Sequence, residues 1–345
     1  MPLQRGIAMT EIQPAIDASV AGRRVLVTGG AGFVGGALVR RLVESDAAVT
    51  VLDDCFTGRA ETLPPDVRFV EGSVTDEGLV ARLVGESEYV FHLAARNIIA
   101  STKNPRDDFA TNIGGTLNVL LAARLVGVRR VVYTGSTSVY GNPRSIPINE
   151  DDAIVPLSPY AVSKLAGEHY CIAFYESYDL PVAVVRYSNV YGIGQHPDNP
   201  YCGVVAKFFD AAIAGRPLQI HGDGQQTRDF TYIDDAVEAT LRAAVAPRAE
   251  GEVFNVGTGI ETTINDLARM VGEAVERPVE ITHVDRRDID NIRRRVVSIE
   301  KARRMLRWSP QVTLPDGLRR TAAWMRDQAA ARSVSSIPPG EGSPA

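Results

Sequence analysis

Two residues in this chain are spaced for proton transfer. Tyr160 and Lys164 stand four positions apart, about one turn of a helix, so they share a face. An ammonium beside a phenol favours the phenolate and lowers its pKa. A phenol tuned towards neutrality is a usable general base. Lysines are scarce here, at 103, 164, 207 and 301 against 11 tyrosines, so the pairing carries weight. Ser136 ends the apolar run that begins at Val131. Its hydroxyl can share a proton with a substrate hydroxyl and so assist Tyr160. Alone, a serine in Thr-Gly-Ser-Thr-Ser suits a turn; beside the Tyr/Lys pair the catalytic role is favoured.

A second stretch could hold a charged cofactor. Val25-Leu26-Val27 reads as a buried strand. Gly29, Gly32 and Gly35 follow, and a helical pattern begins with Leu38, Val39, Leu42 and Val43 on one face. Gly29 permits a tight turn, Gly32 lets the backbone approach a pyrophosphate, and Gly35 lets the helix pack on the strand. The helix N-terminus offers free N–H groups and positive dipole. The spacing is GxxGxxG rather than GxGxxG, and a tight turn with no ligand is the plainer alternative. Asp53 closes the next apolar run, Ala48 to Leu52, where a carboxylate would meet the adenosine ribose hydroxyls. That second signal favours a dinucleotide, whose oxidised nicotinamide would lower the Tyr160 phenol further.

These side chains need a scaffold, and the sequence supplies one. Further strand-like runs lie at 67–70, 89–93, 131–134, 182–186 and 252–256, with helical patterns at 76–85, 107–126, 158–178, 203–215 and 234–245. Strands alternating with helices of this length indicate βαβ units and a parallel sheet. The ligand is expected in the crevice at the carboxyl ends of the strands. From Tyr187 glycines, prolines and aromatics crowd the chain, and 262–325 reads as two or three short helices around an extended run at 279–283. The expected division is a loose extension at 1–21, a dinucleotide domain at 22–186 that also takes in about 229–258, a substrate lobe from 187–228 and 259–330, and a disordered tail at 331–345.

The 345-residue chain is 45% hydrophobic and 23% charged, ordinary for a globular protein. A net charge of −5 gives no reason to expect nucleic acid or an anionic membrane. Arg293-Arg294-Arg295 reads as a solvated face rather than a binding patch. Cys55, Cys171 and Cys202 lack metal-ligand spacing and suit free thiols in a reducing cytoplasm. No run of ~18 apolar residues suggests a membrane span.

Taken together the motifs resemble a known family. Thr28 to Gly35, Phe91-His92-Leu93-Ala94-Ala95, Ser136 before Val139-Tyr140-Gly141, Ser158 to Lys164, Arg186 to Gly192, Arg228 to Asp235, Lys301-Ala302 and Leu306-Arg307-Trp308 are similar to the extended short-chain dehydrogenase/reductases. Within these the chain resembles the nucleotide-sugar 4-epimerases of the UDP-glucose/UDP-galactose type. The resemblance spans residues 22–325 and implies a Rossmann-type doubly wound α/β fold with a smaller C-terminal lobe. It implies NAD held by Gly29, Gly32, Phe33, Val34, Gly35, Asp53, Asp54, Ser73, Val74, Leu93, Ala94, Ala95, Asn112, Tyr160, Lys164 and Tyr187. It implies a catalytic trio of Ser136, Tyr160 and Lys164, and a nucleotide sugar met by Ser136, Thr137, Ser138, Asn189, His196, Arg228 and Arg287. No metal is implied. The family usually places Asp where Ser73 stands, so that contact with the adenine would be weaker. The helices at 107–126 and 158–178 would pair two copies into a homodimer.

The family also contains 4,6-dehydratases, with Asp and Glu directly after the serine, and sugar-acid decarboxylases, with Glu two positions after it. Thr137 and Ser138 cannot serve as carboxyl acids or bases. Epimerisation needs no additional acid. Epimerases of uronic acids place Thr at the Asn189 position and Arg at the His196 position. A ketosugar reductase and a non-catalytic dinucleotide sensor are the remaining alternatives; the sensor could dispense with the Tyr/Lys pair.

Overall fold

The computed structural model describes residues 16–199, 201–286 and 292–335. The apolar runs form one seven-stranded parallel sheet: β1 (Arg24–Thr28), β2 (Ala48–Asp53), β3 (Arg68–Glu71), β4 (Tyr89–His92), β5 (Arg130–Ser136), β6 (Val182–Tyr187) and β7 (Glu252–Val256), in the spatial order β3-β2-β1-β4-β5-β6-β7. The order reverses between β1 and β4, so loops leaving their carboxyl ends diverge and open a crevice. β4 and β5 are buried along their whole length. That is why they read as continuous apolar runs rather than alternating ones.

Helices cover both faces. On one face α1 (Phe33–Glu44) packs Leu38, Val39 and Leu42 with Val25 and Val27. On the other, α2 (Glu77–Gly85), α3 (Pro105–Val126) and α4 (Pro159–Tyr178) pack with Leu26, Leu52, Val131 and Val182. Successive residues of β1 thus serve opposite cores, as the two-residue strand period requires. The helix α3 has a mean hydropathy of 1.3 over its most apolar stretch, enough by length and composition for a membrane-crossing helix, yet 44% of that stretch is buried inside the protein. Its middle, Phe109–Gly115, widens to π-type bonding.

The second lobe contains α5 (Val204–Ile213), α7 (Ile264–Val275) and α8 (Leu314–Ser335), while α6 (Ile233–Val245) packs on the sheet against β5, β6 and α1. Asn189–Tyr191 pairs with Phe230–Tyr232, Thr227–Arg228 with Thr262–Thr263, and Leu218–His221 with Ile281–Val284. The chain then returns to the large sheet, where β7 forms the edge beside β6. One expectation is corrected. The last helix is not short: α8 runs 22 residues and takes in Ser333, which the sequence reading assigned to the tail. Residues 336–345 lie outside the described residues.

Candidate active site

The glycine stretch adopts the geometry its spacing suggests. Gly29 has φ +71°, and a Cβ there would lie 2.6 Å from the Ala94 nitrogen. At Gly35 a Cβ would fall 2.1 Å from the Gly29 oxygen, so only glycine lets α1 sit this close to β1. A Cβ on Gly32 would meet nothing nearer than the Gly29 oxygen at 3.3 Å, leaving its outer side open. Gly32 caps α1 without a side-chain hydrogen bond. The first-turn N–H groups therefore remain available to an anion.

Around this turn lies a cleft of about 340 Å³. Gly29, Gly32, Phe33, Val34, Gly35, Asp53, Asp54, Val74, Leu93, Ala94, Ala95, Tyr187, Ser136, Tyr160 and Lys164 all line it. The Asp53 carboxylate accepts from the N–H groups of Ala31 at 2.9 Å and Cys55 at 2.8 Å. Burial pushes its pKa up, against the lowering effect of those two bonds. Tyr187 fixes the far wall through a 2.5 Å hydrogen bond between its hydroxyl and Thr240 Oγ1. Behind the loop after β4, the Thr116 hydroxyl donates to the Asn112 carbonyl at 2.7 Å. Its oxygen is then free to accept from His92 Nε2, 2.9 Å away, while His92 Nδ1 accepts from Thr28 Oγ1 at 2.7 Å. Burial holds His92 neutral, its pKa pushed down to about 3.

The chemical end of the cleft is built from β5 and α4. Ser136 is the last residue of β5 and is 8% exposed. Its oxygen accepts from the Ser138 N–H and its hydroxyl donates to Ser138 Oγ, both at 3.1 Å. Ser158 caps α4 by accepting from the Ala161 N–H, and Pro159 begins the helix, which fits proline's fixed φ. Tyr160 thereby stands in the first turn, at the cleft mouth, with Lys164 one turn deeper. Burial pushes the Lys164 ammonium down to about 8, although Cys171, Asp108 and Glu168 oppose the shift.

A second cavity of about 920 Å³ joins the lobe to the domain. Asn189 and Arg228 line it, with Lys207, Arg216, Arg286 and Arg293. Arg228 Nη1 donates to the carbonyls of Thr227 at 2.8 Å and Ile292 at 2.9 Å. The neighbouring Asp229 is structural: its buried carboxylate accepts from the Thr258, Gly259 and Val297 N–H groups.

Other expected residues are placed differently. Ser73 is not among the cleft-lining residues, which there are Gly72 and Val74; its oxygen accepts from the Thr75 hydroxyl at 2.9 Å. Asn112 is buried behind the wall, donating to Asp108 Oδ1 at 2.6 Å and Ser163 Oγ at 3.0 Å and accepting from the Arg96 N–H at 2.7 Å. It shapes the cleft through Arg96. Thr137 is buried, and Ser138 serves Ser136. The His196 ring packs edge-on against Trp324 of α8 at 5.2 Å, a contact set by a helix the sequence reading made too short. Arg287 lies outside the described residues. Arg293 pairs with Asp223, and Arg294 grips Glu261 through two 2.6 Å bonds, whereas Arg295 is buried rather than on the solvated face expected for the run.

The sequence reading missed Arg96, Phe56 and Thr111, all cleft-lining. Arg96 is the arginine beside Asp54: its guanidinium binds Asp54 at 2.8 Å and Asp107 at 2.7 Å. Its place directly after Phe91–Ala95 was the available signal.

A parallel sheet with this strand order, an uncapped glycine turn and a Ser/Tyr/Lys trio define a dinucleotide-dependent short-chain dehydrogenase/reductase with an added substrate lobe. Residues 25–257 match the NAD dependent epimerase/dehydratase family. A UDP-glucose 4-epimerase of Mycolicibacterium smegmatis is 41% identical over 88% of this chain and 99% of its own. The UDP-glucose 4-epimerase of Thermotoga maritima, solved with UDP-glucose, superposes with a TM-score of 0.86 at 36% identity, covering 89% of this chain and 99% of that one. The Thermus thermophilus UDP-glucose 4-epimerase, solved with NAD, gives 0.82 at 35% identity over 88% and 99%. The chain belongs to the NAD dependent epimerase/dehydratase family, and its cofactor is NAD.

Proposed function

We propose that this enzyme inverts C4 of a neutral hexose on a nucleoside diphosphate, with UDP-glucose/UDP-galactose the first candidate and an N-acetylhexosamine the second. One observation carries the reading. The cleft's lining carboxylates, Asp53 and Asp54, lie at its adenosine end, while Ser136, Tyr160 and Lys164 occupy the other end with no carboxyl group among the described lining residues. Elimination of water and loss of carbon dioxide lack their usual acids and bases there.

Bound NAD supplies a hydride acceptor that returns the hydride. The protein's own residues manage the proton and the sugar. Tyr160 takes the proton from the O4 hydroxyl and gives it back, Ser136 shares it, and Lys164 favours the phenolate. Asn189 and Arg228 hold the diphosphate, arginine because its planar fork matches phosphate oxygens. The 4-keto sugar then turns about that anchor and presents its other face. Incubating a panel of nucleotide sugars with protein and NAD, with NMR of the products, tests the reading; a 4-epimer formed without net cofactor consumption is expected. Net oxidation would indicate a reductase, and no turnover a sensor.

The same proposal includes a homodimer in the cytoplasm. Phe109, Leu121, Leu125 and Val126 of α3 and Val162, Tyr170 and Tyr178 of α4 are large apolar side chains left exposed, a contiguous helix pair of the kind that a second copy covers. Light scattering should give twice the chain mass, and Leu125→Glu should shift it towards monomer. All three cysteines are free thiols, which supports a reducing compartment.

A further inference from the structure

Two loops meet beside the cofactor cleft, and neither belongs to the catalytic trio. One follows β2 and carries Phe56 and Arg59. The other belongs to the lobe and carries Asp198 and Tyr201. Arg59 forms an ion pair with Asp198. The Phe56 ring stacks on Tyr201 with centroids 5.6 Å apart and planes inclined by 19°. The Arg96 guanidinium also lies over Phe56, 4.3 Å from its centre, and is itself held by Asp54 and Asp107. Phe56 lines the cofactor cleft and Tyr201 lines the substrate cavity. The stacked pair therefore has one ring on each volume.

We propose that these contacts form a clasp that closes the adenosine end of the cleft, sets the residence time of NAD, and makes it depend on occupancy of the substrate cavity. The proposal rests on the NAD reading of the cleft. Its position follows from Asp53, Asp54, Phe56 and Thr57 lining the same end, the end where the carboxylate after the second strand meets the ribose. Its strength fits a device that opens. The Arg59 and Asp198 side chains are 40% and 41% exposed, and exposed ion pairs change an equilibrium by at most roughly fivefold. An aromatic pair adds a factor of roughly 2–10 beyond the area it buries. Together they slow opening without preventing it. A nucleotide in the substrate cavity packs against Tyr201 and holds Phe56 in place.

The test uses the NAD-loaded protein, with NAD release followed after rapid dilution, with and without UDP. Asp198→Asn and Arg59→Gln should each release NAD up to roughly fivefold faster. The double variant should be no faster than either single, because both remove one interaction. Tyr201→Ala should release NAD about tenfold faster and lose the slowing that UDP gives the parent protein. Release at the parent rate in both Asp198→Asn and Tyr201→Ala, or an undiminished UDP effect in Tyr201→Ala, would overturn the clasp. A direct titration of the parent protein separates this failure from that of the cofactor reading, since a parent that binds no NAD refutes both.

Discussion

The Lys164 ammonium lies 4.3 Å from the centre of the Tyr133 ring, and the Tyr133 hydroxyl donates to the Lys164 backbone carbonyl at 3.1 Å. One aromatic side chain from β5 thus fixes both the charge and the main chain of the catalytic lysine. The contact requires Gly167, where an added Cβ would come within 2.4 Å of the Tyr133 hydroxyl oxygen. Gly167→Ala must displace a buried ring or lift α4. It should lower kcat about tenfold or more while leaving KM for the nucleotide sugar nearly unchanged, since a small misplacement of catalytic groups costs rate before binding. Steady-state kinetics with folded protein checks this; an unchanged kcat would remove Tyr133 from the support of Lys164.

Burying Lys164 costs stability, and the sign is testable. Its folded pKa falls from 10.5 to about 8, mainly through burial. A base with a depressed folded pKa carries its full penalty below that value. The penalty is relieved as pH rises from about 8 to 10.5, because the unfolded chain then binds the extra proton. In cofactor-free protein Lys164→Met should therefore melt higher than the parent at pH 7, and the gap should narrow towards pH 10. The same variant should lose activity at every pH. A melting difference that does not change with pH would refute the buried charge.

Tyr160→Phe should remove most turnover, about 10²–10⁴-fold, while sparing nucleotide-sugar binding measured by calorimetry, because the ring still packs. Ser136→Ala should cost less, since serine shares the proton rather than taking it. Near-parent turnover in Tyr160→Phe would show that another group is the base.

What could be read from the sequence was what depends on near neighbours. Gly29, Gly32 and Gly35 are legible because a turn and a helix start impose their demands within a few residues. Tyr160 and Lys164 are legible because one helical turn brings them together. Arg96 was not: its partner Asp54 is 42 positions away, and only the sheet order brings them together. The contact of the His196 ring with Trp324 across the lobe was not legible for the same reason. The end of α8 was missed because apolar residues thin out after Met325, and residues 326–329 are no longer buried.

Arg96 bears on cofactor choice. The Asp53 carboxylate at the adenosine end repels a 2′-phosphate, and Arg96, which could attract one, is already committed to Asp54 and Asp107. The parent protein should bind NAD at least about tenfold more tightly than NADP. Asp54→Ala frees part of the guanidinium and should narrow that preference from the NADP side. Parallel titrations decide it, and equal affinities in the parent protein would refute the role of Asp53.

The choice of sugar follows from how charge is placed in the larger cavity. A uronic acid brings a carboxylate out of water, which needs a charged or multiply hydrogen-bonded partner. Most of the cavity's cations already have one: Arg216 pairs with Asp210, Arg293 with Asp223, and Arg228 is assigned to the diphosphate. Ile98 and Ile99 give the wall beyond Arg96 an apolar surface, suited to a neutral hydroxymethyl group. The His196 ring is packed on Trp324 rather than set among the cavity's cations. UDP-glucose should therefore show a higher kcat/KM than UDP-glucuronate, by about tenfold or more, the penalty expected for a carboxylate with an imperfect partner. Lys207 also lines the cavity and is the cation best able to erode this preference, so Lys207→Met should widen the ratio. Both substrates are measured in parallel with each protein. A higher kcat/KM for UDP-glucuronate in the parent, abolished in Lys207→Met, would reverse the assignment and make Lys207 the carboxylate's partner.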